Sequence, residues 1–359
     1  PWMGPLGPAA MTAGGRGGEI VRVTSLESDG PGTLRAALEA DGPNIIVFEV
    51  GGVIDLDGNN LRVSSSNTTI AGQTAPSPGI TLIRGGMVIT GDDIIVQHMR
   101  IRPGDLGEGL RSGRDIDAIT TIAAHNVIVD HCSLSWATDE NLSASGPRFT
   151  GETPKDWREG TSHTIAYTNN IIAEGLSHST HAKGEHSKGS LIHDNVSDIL
   201  IYGNLYAHNF ERSPLFKGGV QGAIVNNFIY NPGQRGVHYN LQGLDWGHEL
   251  PELGRYTSSS TQIAEQSEPS DIVAGLPILA ANQVERYVLK NAGARPWDRD
   301  SVDVRILADT AEGRGEIIDS QNQVGGYPTA SPTHRAFDPA LWDLETMQLL
   351  LRLVSFCSL

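Results

Sequence analysis

Five times between Val96 and Ile229 the chain returns to one kind of phrase, in which β-branched or aromatic residues flank a short polar or small interruption. Val96-Gln97-His98-Met99-Arg100-Ile101 is followed by Val129-Asp130-His131-Cys132-Ser133-Leu134 and Tyr167-Thr168-Asn169-Asn170-Ile171-Ile172. Ile201-Tyr202-Gly203-Asn204-Leu205-Tyr206 and Ile224-Val225-Asn226-Asn227-Phe228-Ile229 complete the set. With Met99, Cys132, Asn170, Asn204 and Asn227 taken as equivalent, the steps are 33, 38, 34 and 23 residues. Such unequal steps do not make a tandem array, but they fit coils of a solenoid that keep one strand fixed and vary their loops. Asn170, Asn204 and Asn227 then lie above one another, each amide bonding to the next rung and so satisfied inside the coil. Their expected role is structural.

The composition agrees with an all-β solenoid. Gly is abundant at 42 of 359 residues and aromatics make up only 6%, which favours short strands and tight turns over a helix bundle. Residues 1–359 are expected to form a single domain, with core coils over 14–240, a lateral loop or extension over 241–299, a C-terminal segment packing on the coils over 300–348, and a tail over 349–359. The best helix is Gly32–Ala40, whose Leu34, Ala37 and Leu38 share a face. Its early position predicts an N-terminal cap over the open end of the coils, where strand edges would otherwise invite aggregation. A second helix is expected over Ala281–Leu289, packed against the barrel. Cys132 and Cys357 give neither a disulfide framework nor metal-site spacing, and Cys132 reads as core filling. No apolar run approaches the roughly 20 residues that span a bilayer, and no basic segment with an apolar run opens the chain.

Two groups of residues carry chemistry. Arg212 and Lys217 stand five residues apart around Pro214, and Asp115, Asp117, Asp130, Asp139 and Glu140 gather upstream. A net charge of −16 argues against nucleic acid as a partner and, at first sight, against any polyanion. A bound Ca²⁺ removes the second objection by inverting the local field. Asp115 and Asp117 form a D-x-D pair before an Ile119–Ile122 strand, where alternation would put both carboxylates on one face. Asp139 and Glu140 come one coil later, within reach because coils stack about 4.8 Å apart. Hard oxygen donors suit Ca²⁺ better than zinc. Asp117 and Asp139 are the favoured ligands, with Asp115 and Glu140 as supplements. Asp130-His131 reads as a structural pair. His163, His178, His181, His186 and His193 crowd a loop-rich stretch with Lys183 and Lys188. No H-x₃-H pair there sits on a clear helix, so a substrate-facing loop is expected in place of a zinc site.

These residues resemble the secreted pectate lyases. Gly14-Gly15-Arg16-Gly17-Gly18, Val23-Thr24-Ser25-Leu26 and Gly32-Thr33-Leu34-Arg35 resemble the start of that family. Asn126 to Trp136 resembles its Asp-His strand, and Arg212-Ser213-Pro214-Leu215-Phe216-Lys217-Gly218-Gly219 its catalytic arginine segment. The likeness runs from about Gly14 to Tyr239 and returns near Ala292–Pro296 and Gly325–Pro328. Ile128, Lys217 and Ser143 stand where the family often has Trp, Arg and a third metal carboxylate. The resemblance implies a single-stranded right-handed parallel β-helix and a secreted enzyme, monomeric by default, that cleaves polygalacturonate by Ca²⁺-assisted β-elimination.

It also implies Arg212 as the acceptor of the C5 proton. A free guanidinium stays protonated to about pH 12, but cationic neighbours, a bound metal and desolvation all disfavour its charge. Lys188, Lys217, Lys183 and His181 are the expected binders of substrate carboxylate. Three rivals remain on the same scaffold: a galacturonan hydrolase using paired carboxylates, a lyase of esterified or other uronate polymers, and a β-helix that binds carbohydrate without turnover.

Overall fold

The computed structural model describes residues 7–239 and 271–350. Three parallel sheets run the length of the molecule, and each strand bonds to the corresponding strand of the next coil. Sheet I starts at Glu19–Val23 and ends at Gly222–Val225. Sheet II runs from Leu61–Val63 to His238–Tyr239, and sheet III from Val50–Asp55 to Phe228–Tyr230, with Thr333–His334 added antiparallel at its edge. The chain visits sheets I, III and II in turn, so this is a parallel β-helix of the kind the repeated phrases predict.

The corner from sheet I to sheet III explains those phrases. Its first residue is left-handed in every coil from His98 to Asn226: φ is 56° at His98, 50° at His131, 52° at Asn169, 69° at Gly203 and 55° at Asn226. Asn tolerates that region better than most residues, and glycine best. A Cβ on Gly203 would also come within 2.7 Å of Asn169 Oδ1. The second corner residue points inward and forms the ladder. Asn204 Oδ1 accepts from the Asn170 backbone N–H at 2.8 Å and from Asn170 Nδ2 at 3.0 Å, and Asn227 Oδ1 accepts the same pair from Asn204 at 2.9 and 2.9 Å. Asn170, Asn204 and Asn227 each donate to a carbonyl of sheet I, those of Val129, Tyr167 and Ile201. Asn170 Oδ1 takes the Cys132 N–H at 2.8 Å, and there the ladder stops. Cys132 and Met99 continue the column as fully buried apolar groups, and burial pushes the Cys132 thiol up to about 12.

Sheet I is covered on both faces. Val96, Val129 and Tyr167 fill the coil interior, while Ile128 and Ala166 pack outward against Ala9 of the 3₁₀ helix Gly7–Met11. Phe337 and Met347 join Ile45, Val47 and Ala71 further along the same outer face. Strands buried on both faces read as continuous apolar runs, which is why sheet I is the easiest to find in sequence. A short helix does form at Leu34–Leu38, capped by Thr33, and buries the predicted Leu34, Ala37 and Leu38.

On sheet III, helix Ala281–Asn291 inserts Val288 among Ile171 and Leu205. Helix Ser301–Ala311 is tied down by buried charges. Arg102 bonds Asp300 at 2.5 and 3.1 Å and Asp303 at 2.9 Å, and Arg100 reaches Asp303 at 3.5 Å. Of the expected lateral extension, residues 240–270 lie outside the described residues, as do residues 351–359 of the tail.

Asn204→Ala removes an acceptor from the Asn170 backbone N–H and a donor to the Tyr167 carbonyl, and leaves both buried. The variant should lose on the order of 2–4 kcal/mol in equilibrium denaturation. A value within 0.5 kcal/mol or so of wild type would remove the ladder from the list of stabilising features.

Candidate active site

The site forms along the leading edge of sheet II. Ile119 pairs with Leu142 and Thr120 with Ser143, so residues just before these strands line up from coil to coil. Single bridges continue the line from Glu140 to Lys188 and from Lys188 to Glu211. Asp117, Glu140, Lys188 and Glu211 therefore form one charged column on successive coils, with Arg212 beside its last member.

Carboxylates are crowded at one end. One oxygen from each of Asp117, Asp139 and Glu140 lies within 4.8 Å of the others. The Glu140 backbone N–H donates to Asp117 Oδ1 at 3.0 Å, and Ser143 Oγ donates to Asp117 Oδ2 at 2.6 Å. Burial and the neighbouring Asp139 push the Asp117 carboxyl up to about 7. Burial also raises Glu140 well above the usual carboxylate range, with Asp117 and Asp139 adding to it. Asp139 goes the other way. Burial would raise it, but hydrogen bonds with His186 and Glu140 and the nearby His186 and His181 rings together outweigh that and hold it at about 2.

His186 Nε2 lies 2.6 Å from Asp139 Oδ1, and the His181 ring stacks on His186 at 3.6 Å with its own Nε2 3.9 Å from Asp139. His181 Nδ1 accepts the Lys183 backbone N–H at 3.1 Å. In a neutral ring this leaves the proton on Nε2, facing Asp139. Although Asp139, His181 and His186 are close enough to surround an ion, His186 hydrogen-bonds Asp139 and His181 stacks on His186 with its Nε2 beyond hydrogen-bond distance. The three-carboxylate group is the better cation site. Its repelling oxygens, with two raised carboxyls, suit a hard divalent ion such as Ca²⁺.

Cations enter the same column. Arg212 Nη1 is ion-paired with Glu140, 72 residues away in sequence. The acid cluster and Arg212 thus share one edge of one sheet. Lys188 is buried, with Nζ 3.0 Å from Glu211, 3.1 Å from Glu185 and over the Phe210 ring. Lys217 stands past the other end of the Leu215–Phe216 strand and pairs with Asp194 at 3.4 Å. Lys183 is exposed in the turn beside His181. Asp115 is also exposed and joins neither close group, because regular alternation begins only at Ile119. Asp130 sits in the sheet I corner, bonded to His131 at 2.8 Å and Thr168 at 2.6 Å, which holds its carboxyl below the usual range despite burial. Nothing in the sequence alone marks His186, Glu185 or Glu211 as partners of these groups. Glu211 could be found only by aligning residues 188 and 211 across a coil, and His186 only from the fold of its loop.

Comparison with known proteins decides the family. A probable pectate lyase C of Aspergillus fumigatus is 36% identical over 372 aligned positions, covering 91% of this chain and 81% of that protein. The chain belongs to the pectate lyase family. The namesake from Aspergillus oryzae is 31% identical over 90% of this chain and 80% of its own. With that of Emericella nidulans the identity is 38%, but the chain spans only about half of that relative, 48%. No protein-family model matches. Among solved structures, the cedar-pollen allergen jun a 1 superposes with a TM-score of 0.54 at 19% identity, over 81% of this chain and 92% of the allergen. A pectate lyase bound to a hexasaccharide gives 0.50 at 14% identity, over 81% and 97%. Both share the β-helix fold with this pectate lyase relative.

The raised Asp117 sets a pH dependence for the metal-free protein. Between about pH 4 and pH 7 the folded state keeps a proton that the unfolded chain has released. The contribution of Asp117 to stability should therefore fall as pH rises through that window and level off above it. Asp117→Asn should flatten the slope. Thermal melts of both proteins in chelator measure it: Asp117→Asn should gain stability relative to wild type between about pH 4 and pH 7, and a difference that does not change with pH would contradict the assignment.

Proposed function

We propose that this protein is a lyase of polygalacturonate, cleaving by β-elimination with Ca²⁺. The observation that supports the reading best is the meeting of Arg212 with Asp117, Asp139 and Glu140 on one sheet edge. Asp117, Asp139 and Glu140 would hold the metal, with Asp115 too exposed to share an ion at the same point. Ca²⁺, when bound, neutralises the substrate carboxylate and so makes the adjacent C5–H easier to ionise. Arg212, in its neutral form, takes the C5 proton. The C5 electron pair forms the C4=C5 double bond as the C4–O bond breaks, and the departing oxygen takes a proton from water. For this role Arg212 must leave Glu140.

The other residues act by position. His186 holds Asp139 ionised and oriented, and His181 stacks behind His186. Ser143 fixes Asp117. Lys188, set between Glu185 and Glu211, and Lys217, beside Asp194, lie along the same sheet where further substrate carboxylates would pass, and Lys183 with His181 borders them. Long helices that could cross a membrane do not occur among the described residues. Secretion and a monomeric state complete the proposal, with an acidic polysaccharide as partner in place of nucleic acid or membrane.

Hydrolysis, which uses two carboxyl groups flanking the glycosidic bond, gives no role to the Arg212 that pairs with Glu140 in the acid cluster. A neutral, fully esterified substrate would leave the cluster without a purpose, and so would a binding protein that performs no turnover.

Polygalacturonate incubated at alkaline pH with Ca²⁺ should yield 4,5-unsaturated products seen by their ultraviolet absorbance. EDTA should abolish the signal, Arg212→Ala should reduce kcat about 10²–10⁴-fold, and Asp139→Ala should raise the Ca²⁺ needed. New reducing ends without unsaturation would mean hydrolysis, and full activity in Arg212→Ala would end the proposed role of that residue.

A further inference from the structure

Sheet II continues well beyond the acid cluster, and its register shows what lies along it. Ser143 pairs with Thr120, Thr120 with Val88, and Val88 with Arg62. In the strand Leu61–Val63 the flanking residues are buried and Arg62 is exposed, so its side chain stands on the outer face of the sheet. Three rungs separate Arg62 from Ser143, about 14 Å at the usual strand spacing. Ser143 is the residue that bonds Asp117, so this row of side chains leads straight away from the acid cluster.

Charge pairing distinguishes Arg62 from the cations of the acid-cluster column and from its neighbour Arg84. Arg212, Lys188 and Lys217 each lie within 4.0 Å of a carboxylate, as does Arg84 one coil on from Arg62, which bonds Asp55 and Asp57 at 2.7 Å each. Arg62 has no ion pair or side-chain hydrogen bond among the described residues. On a chain of net charge −16, an unpaired guanidinium on the open face of that sheet is a local attraction in a repelling field. Its planar fork also matches a carboxylate in a bidentate fashion.

We propose that Arg62 forms a distal subsite for a second uronate carboxylate, several sugar residues away from the one held at the acid cluster. The inference rests on the proposed polyuronate reading and adds a direction to it: the polymer lies along sheet II toward the N-terminal coils. It also adds a requirement, namely a run of unesterified residues long enough to reach from Ser143 to Arg62.

Chain length is the test. Arg62→Ala should raise KM for long polygalacturonate about three- to fivefold, as expected for one exposed ion pair, with kcat within about twofold of wild type. The Ki of digalacturonate as a competitive inhibitor, too short to span the distance, should not change. Arg286→Ala, which removes the same charge from the exposed side of the helix on sheet III, controls for net charge and should leave both constants alone. Equal KM values for wild type and Arg62→Ala on the long polymer overturn the subsite, as would an equal effect in Arg286→Ala. A wild type that does not cleave polygalacturonate would overturn the proposed activity instead. Calorimetric binding of hexagalacturonate against digalacturonate then reads the subsite by itself, and identical affinities in wild type and Arg62→Ala would remove it.

Discussion

Parallel stacking of coils at about 4.8 Å is the constraint from which everything else here follows. It makes neighbours of residues 23 to 72 positions apart, and it does so through backbone pairing that is indifferent to side-chain charge. Glu140, Lys188 and Glu211 are bridged in that order whatever repulsion or attraction results. The helix thus supplies a rigid ruler on which unfavourable groups can be held together, and the bonding of three complete sheets sustains the local cost.

Electrostatic balance along the column is achieved by local partners. Lys188 lies between two glutamates, Asp139 is hydrogen-bonded to His186, and Arg212 is paired with Glu140. What remains unbalanced is the carboxyl group of Asp117, whose raised proton affinity marks where positive charge is missing. The Arg212–Glu140 pair has a double meaning in this arrangement. It quiets two groups in the metal-free protein, and both are groups that the proposed reaction needs for other tasks.

Much of the fold was legible because its signals repeat at fixed places in each coil. Asn170, Asn204 and Asn227 could be aligned by eye, and the ladder they form uses that alignment. The left-handed corner residues were equally regular but went unread, since His98, His131, Asn169, Gly203 and Asn226 share a backbone conformation and no side-chain type. In the site, Asp117, Asp139, Glu140 and Arg212 were found because they flank strands whose register is predictable. Partners brought in by loops were harder. His186 reaches Asp139 through a turn closed by its own hydrogen bonds, and Asp115 does not join Asp117 because the extended chain starts only at Ile119, four residues after Asp115. Register information is long-range and periodic, whereas loop closure depends on details that no period records.

The two-residue corner has a consequence for how such a molecule changes over time. Because each coil from His98 to Asn226 enters sheet III through the same bend, such a coil is an interchangeable unit, and its two other connections can lengthen without disturbing the junction. The span from Cys132 to Asn170 holds the helix Pro154–Glu159 in such a connection, while the span from Asn204 to Asn227 has almost no slack. Lineages built on this bend are free to grow their surroundings by insertion, and the spacing of the column that the coils carry stays as it was.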